Sequence, residues 1–111
     1  MNYVYVVQGT TGQYSDRFDW IVKAFRTKEE ADKFQQDITD VIEQLWKFSK
    51  KHDVDYYYFS DIDDLEASPE VKKTIASFYE DVTKLDPKFQ CDYTGTSYWV
   101  TEVELAGTSN T

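Results

Sequence analysis

Apolar positions recur along the chain with two periods. Tyr3 to Gln8 is rich in Val and Tyr and reads as a strand. Gly9-Thr10-Thr11-Gly12 breaks it, and polar residues continue to Asp19 as a loop of about ten residues. Trp20 to Phe25 reads as a second strand. The period then lengthens. Thr27-Lys28-Glu29-Glu30 is a capping box, with the Thr27 hydroxyl placed to accept from the Glu30 N–H and the Glu30 side chain placed to reach back. Ala31, Phe34, Ile38, Val41, Leu45 and Phe48 follow at spacings of three and four, widened by Ile42 and Trp46, so one helix face is apolar. The stripe fades at Lys50-Lys51-His52, where basic groups suit a helix C-terminus. Ser60 is placed to cap a short turn through Glu66. Ser68-Pro69-Glu70 opens a second helix, with Ser as cap, Pro at the first position and an acid in the first turn. Val71, Ile75, Phe78, Val82 and Leu85 form its stripe, and Asp86-Pro87 ends it, because the residue before Pro is pushed out of the α region. Tyr98 to Leu105 alternates as a third strand.

The order strand, strand, helix, helix, strand predicts an α+β fold of two layers. A three-stranded antiparallel sheet, with the first strand central, is covered on one face by two amphipathic helices. Residues 1–105 form a single domain and 106–111 a flexible tail. Val4 and Val6 are expected to face the helices, leaving Tyr3, Tyr5 and Val7, joined by Tyr98 and Val100, on the open face. Tyr3, Tyr5 and Tyr98 are then a candidate dimer face; the competing reading is a solvated sheet face with wet hydroxyls.

The length of 111 residues suits one core without disulfide or metal. Nineteen aromatic residues argue against disorder. With 21 Asp and Glu against 12 Lys and Arg, the net charge of −9 argues against direct binding of nucleic acid. A lone cysteine, Cys91, fits a reducing cytoplasm. No apolar run reaches the length of a membrane span, and the N-terminus lacks the pattern of a signal peptide.

The charge is uneven. Residues 53–70 hold Asp53, Asp55, Asp61, Asp63, Asp64, Glu66 and Glu70 without a Lys or Arg, so −7 of the −9 falls there. The same segment holds Tyr56, Tyr57, Tyr58 and Phe59. A compact domain of this size is about 34 Å across, a length of duplex that carries about twenty phosphates. A net −9 is under half of that. Charge imitation of DNA over the whole surface is therefore poorly supported. A local patch of acids with aromatic anchors, docking on a basic protein surface, is better supported. The candidate partner-binding residues are Asp53, Asp55, Tyr56, Tyr57, Tyr58, Asp61, Asp63, Asp64, Glu66 and Glu70. The plainer reading is that the aromatics pack inward and the acids solubilise.

Catalytic chemistry finds little support. His52, the one histidine, sits among lysines at a helix end, and Cys91 has an acidic neighbour and no basic one, so neither forms a nucleophile–base pair. No enzyme activity, cofactor or metal is expected. Asp53-x-Asp55 begins like a calcium loop but has Tyr58 where Gly is needed and Asp64 where Glu is needed. Asp61-x-Asp63-Asp64 reads as a solvated acidic loop. Gly9, Thr10, Thr11, Gly12, Ser15, Asp16 and Arg17 form a candidate ligand loop, where backbone N–H groups and Arg17 would hold an anion such as a nucleotide signal. The strand-loop-helix geometry of a phosphate cradle is missing, which favours a structural turn.

The run Gly9-Thr10-Thr11-Gly12-Gln13-Tyr14-Ser15-Asp16-Arg17 with Trp20, and Asp86-Pro87 with Asp92-Tyr93-Thr94-Gly95-Thr96, Tyr98, Val100 and the Val-Glu-Leu at 103–105, resemble motifs of a family of short proteins of tailed phages and prophages. The motifs cover about a third of the chain. The resemblance implies a phage origin and the host cytoplasm, and transfers no catalytic residue. It makes the leading expectation an inhibitor of host defence, anti-CRISPR or similar, whose partner is a nucleic-acid-binding defence protein with a basic surface. The other expectations are a small-ligand binder and a homodimeric phage housekeeping protein. Antiparallel pairing of the first and third strands would bring the two Thr-Gly motifs to one end of the sheet, where they brace each other.

Overall fold

The computed structural model describes residues 2–54, 66–91 and 95–106. Strand β1 (Tyr3–Thr11) pairs with β2 (Phe18–Phe25) and β3 (Thr96–Glu104), both antiparallel, in the order β2-β1-β3. Helices α1 (Lys28–Lys51) and α2 (Pro69–Leu85) lie between β2 and β3 in sequence. The α+β fold is the one the periodicity predicts. The expected turn at Ser60–Glu66 lies outside the described residues apart from its last, and the expected tail at 106–111 outside them apart from Ala106. No helix among the described residues is long and apolar enough to cross a membrane.

Both helix starts follow from their caps. Thr27 Oγ1 accepts from the Glu30 N–H at 3.2 Å and donates to the Glu30 carboxylate at 2.8 Å. The reciprocal contact thus runs through the hydroxyl rather than the Thr27 N–H. Ser68 Oγ accepts from the Val71 N–H at 3.2 Å, with Pro69 in the first turn.

The expected loop after Gln8 is shorter than predicted. Gly9, Thr10 and Thr11 belong to β1 and Phe18 and Asp19 to β2, so the connection runs from 12 to 17 around a 3-10 turn at Tyr14–Asp16. Gly9 acts here as a pairing position and not as a breaker. It lies opposite Trp20, and a Cβ on it would stand 2.5 Å from the indole ring.

The helices share the work unequally. The first turns of α1 cross the sheet, where the Gln35 amide donates to the Tyr98 carbonyl at 3.1 Å. Beyond the sheet α2 becomes the partner of α1, with Phe48 and Phe78 rings 5.9 Å apart. The result is a helical arm. The radius of gyration is 16.6 Å, against about 13 Å for a compact chain of this length, and the long axis measures 59 Å. Ala31, Ile38 and Leu45 of α1, Ile75 and Val82 of α2, and Val7, Trp20, Phe89 and Tyr98 make up the buried core.

The facing of the sheet is the reverse of the expected one. Val7, Gly9 and Thr11 are buried on the helix side, Tyr5 packs against the core, and Tyr98 is only 6% exposed. Val4 and Val6 lie on the open face. Of the expected dimer face, Tyr3 is exposed but shares the side of Tyr5 and Tyr98, so Tyr3, Tyr5 and Tyr98 do not form an open surface. The physical reason is Gly9. Its missing side chain makes room for Trp20 beneath the helices, and that fixes the parity of the strand.

Candidate functional site

Three places gather the residues singled out above. The first is the far end of the helical arm. Residues 53–70 link the C-terminus of α1 to the N-terminus of α2, and the 17 residues of α2 separate this end from Asp86 by about 25 Å. Asp53 is exposed and adopts a positive φ of 54°, its N–H donating to the Lys50 carbonyl at 3.1 Å. Glu66 and Glu70 are also exposed. Asp55, Tyr56, Tyr57, Tyr58, Asp61, Asp63 and Asp64 lie outside the described residues. Lys47, Lys50, Lys51 and Lys73 are exposed within two turns of the same end, so the acids are bordered by cations. Lys50 rests over the Trp46 ring at 4.1 Å. Duplex as long as the 59 Å axis would carry about 35 phosphates, so −9 falls further short of whole-surface imitation of DNA.

The second place is a buried carboxylate. Asp86 has no exposed surface. Its Oδ2 accepts from Trp20 Nε1 and from the Tyr98 hydroxyl, each at 2.7 Å, and its Oδ1 accepts from the Lys88 N–H at 3.0 Å. Burial, then the hydrogen bond to Asp86, pushes the Tyr98 hydroxyl far above its usual pKa, so it stays a donor. The Trp20 and Tyr98 rings meet edge to face at 6.3 Å. One carboxylate thus ties β2, the end of α2 and β3 together. With every acceptor turned to the interior, it offers nothing to a substrate.

The third place is the turn after β1. Gly12 has φ +85°, and a Cβ there would meet the Asp16 carbonyl oxygen. The tight turn sends Arg17 back across the open face of the sheet. Its Nε donates to Asp19 at 3.1 Å, and its guanidinium lies 5.8 Å from the centre of the Trp99 ring. Thr10 also donates to Asp19, at 2.5 Å. The Thr10 hydroxyl first, and then Arg17, hold the Asp19 carboxyl below its usual range. An open groove of about 420 Å³ runs past Thr10, Gly12, Gln13, Tyr14 and Arg17. Tyr14 at its rim is 94% exposed with φ 56°. Arg17 pairs with Asp19 and not with its neighbour Asp16, while Gly9 and Thr11 are buried in the strand and take no part in the groove. The two Thr-Gly motifs do meet: the Thr11 hydroxyl donates to the Gly95 carbonyl at 2.8 Å. Asp92, Tyr93 and Thr94 lie outside the described residues.

Sequence reasoning passed over Asp86, read there as a helix stop, and the outward residues Gln8 and Trp99. Gln8 Oε1 accepts from Trp99 Nε1 at 3.0 Å and from the Thr101 hydroxyl at 2.7 Å. The available signal was the presence of Trp20 after the Gly9–Arg17 run and of Asp86-Pro87 shortly before Tyr98, since a buried acid needs donors of that kind. His52 caps α1 with its ring 4.4 Å from that of Phe48, and Cys91 is half-buried. Comparison of the chain with protein-family models, with curated proteins and with solved structures finds no match.

Proposed function

We propose that this is a non-enzymatic phage protein that inhibits a host defence system by docking its 53–70 segment on the basic surface of a nucleic-acid-binding protein. The observation that supports the reading most is the placement of charge. Seven of the nine net negative charges fall in the sequence at 53–70, between the end of α1 and the first turn of α2, and that first turn begins about 25 Å along α2 from Asp86. An arm of this length lets the segment enter a groove that the sheet could not approach. Aromatics at 56–59 supply anchors that charge alone does not. The lysines at 47, 50, 51 and 73 limit the patch and set which basic surfaces it fits. The phage-like motifs support the host cytoplasm as the setting.

The test is capture of such a partner from host lysate by the wild-type chain and by the D61K/D63K/D64K variant. Capture is expected to be lost in the variant and to weaken with salt, while circular dichroism shows the same fold. Equal capture by both refutes the reading. The groove at Thr10, Gly12, Gln13, Tyr14 and Arg17 favours a second reading, a small-ligand site. There, nucleotides would raise the melting temperature by mass action, and R17A would abolish the rise.

A further inference from the structure

We infer that the outer edge of β3, over Val100–Glu104, takes up an extended basic segment of a partner protein as a fourth strand. The edge lies in the sheet, and its occupation does not depend on the arm or on what the arm docks on. Two hydrogen bonds fix which backbone groups of β3 point away from β1. The Leu105 N–H donates to the Asn2 carbonyl at 2.8 Å, so the odd-numbered residues of β3 bond toward β1. The Tyr98 carbonyl instead accepts from the Gln35 side chain at 3.1 Å, so the even-numbered residues face outward. The N–H and C=O groups of Val100, Glu102 and Glu104 are therefore turned away from the sheet, and they have no partner among the described residues. Such a row of alternating donors and acceptors is matched by another extended backbone.

The two edges of the sheet differ. On β2, Lys88 occupies the outward Ile21 carbonyl at 3.4 Å, and the register with β1 shifts between Val7 and Gln8, so the ladder on that side is interrupted. β3 pairs with β1 without a shift from Tyr3↔Glu104 to Thr11↔Thr96. The regular edge is the open one. Its side chains select the occupant. Glu102 and Glu104 are exposed on the side of the sheet that carries Tyr5, and neither forms an ion pair with a described residue. Glu102 accepts from the Tyr5 hydroxyl at 3.2 Å, a neutral donor that leaves its charge uncompensated. Val103, on the other face, is 42% exposed. A strand laid along the edge stands about 4.8 Å away, with its side chains opposite these. Lys or Arg at every second position then meets Glu102 and Glu104, and apolar residues between them pack beside Val103. The net charge of −9 draws in such a segment. A second copy at this edge would set glutamates against glutamates, so the same acids that keep copies apart specify a basic occupant.

The test is a titration of the isotope-labelled chain with a blocked octapeptide of alternating Lys and Val, read at the backbone amides of Val100–Glu104. One added strand buries less than a standard interface, so these amides should shift with peptide up to about 1 mM, and less at high salt. A peptide of alternating Glu and Val should leave them unmoved. So should the Lys-Val peptide N-methylated throughout, which keeps the charge and loses every ladder donor. E102K/E104K should weaken the response to the Lys-Val peptide at least about ten-fold and create one to the Glu-Val peptide, with the circular dichroism spectrum unchanged. No shift at Val100–Glu104, shifts confined to the acidic 53–70 segment, an equal response to the N-methylated peptide, or indifference to E102K/E104K would each overturn the inference. A change of the same amides on dilution without peptide would show that a second copy takes the edge, and would overturn it too.

Discussion

Replacing Asp86 with Ala should remove a large part of the stability of the domain. Three donors point at this carboxylate, from Trp20 Nε1, the Tyr98 hydroxyl and the Lys88 N–H, at 2.7, 2.7 and 3.0 Å. Each buried donor left without a partner costs about 1–3 kcal/mol. Partial access of water to the Lys88 N–H lowers the sum, and about 3–5 kcal/mol is expected for D86A. A domain of this length has about 5–15 kcal/mol in all. The melting temperature should fall by about 12–20 °C. D86N keeps the shape but turns an N–H₂ group toward one set of donors, and should cost about 1–3 kcal/mol. Urea unfolding followed by tryptophan fluorescence gives both values. A double-mutant cycle with Y98F isolates the pair, with an expected coupling of about 1.5–3 kcal/mol for a charge-assisted bond. A cost below about 1 kcal/mol for D86A, or strict additivity with Y98F, would refute the view that this carboxylate joins the sheet to the helices.

Two further predictions rest on the same cluster. In the unfolded chain Tyr98 releases its proton near pH 10.0, while in the native state burial, and then Asp86, hold the proton to much higher pH. Its contribution is whole below pH 10 and is lost above it at about 1.4 kcal/mol per pH unit; urea midpoints between pH 9 and 11 should show this slope in the wild type and not in Y98F, and equal slopes would contradict it. G9A should cost about 1–3 kcal/mol and shift the tryptophan emission, because the new methyl meets an indole that Asp86 holds in place; a variant as stable as the wild type would show that Trp20 is free to move.

The elements were legible because local chemistry alone decides them. Thr27 and Ser68 cap the helices that they announce, and Pro87 follows the end of α2. β1 is central, as expected, and apolar at its start on both sides. That same character hid the facing of the strand, since Tyr3, Val4, Tyr5, Val6 and Val7 offer no polar position to mark the wet side. Gly9 and Trp20 decide it through a contact across two strands, which no single segment displays. The role of Asp86 was illegible for a similar reason. Its donors stand 66 and 12 residues away, and only the assembled fold brings them to it. Of the candidate sites, the loop expected at Gly9–Arg17 narrows to a turn from Gly12 to Arg17, because Gly9, Thr10 and Thr11 pair in β1, and its polar partners were hidden because Arg17 crosses the sheet to Trp99.

The arm is fastened at one end only. Its hold on the sheet lies at its base, in the first turns of α1, where Phe34 meets Phe25, and at Asp86, Trp20 and Tyr98, while Val54 and Glu66, which flank the connection, lie toward the opposite end. Doubling the length of such a connection costs only about 0.6 kcal/mol in closure entropy. The sequence at the tip can therefore be exchanged for another without disturbing the base. An engineer could graft a foreign recognition loop at the same place.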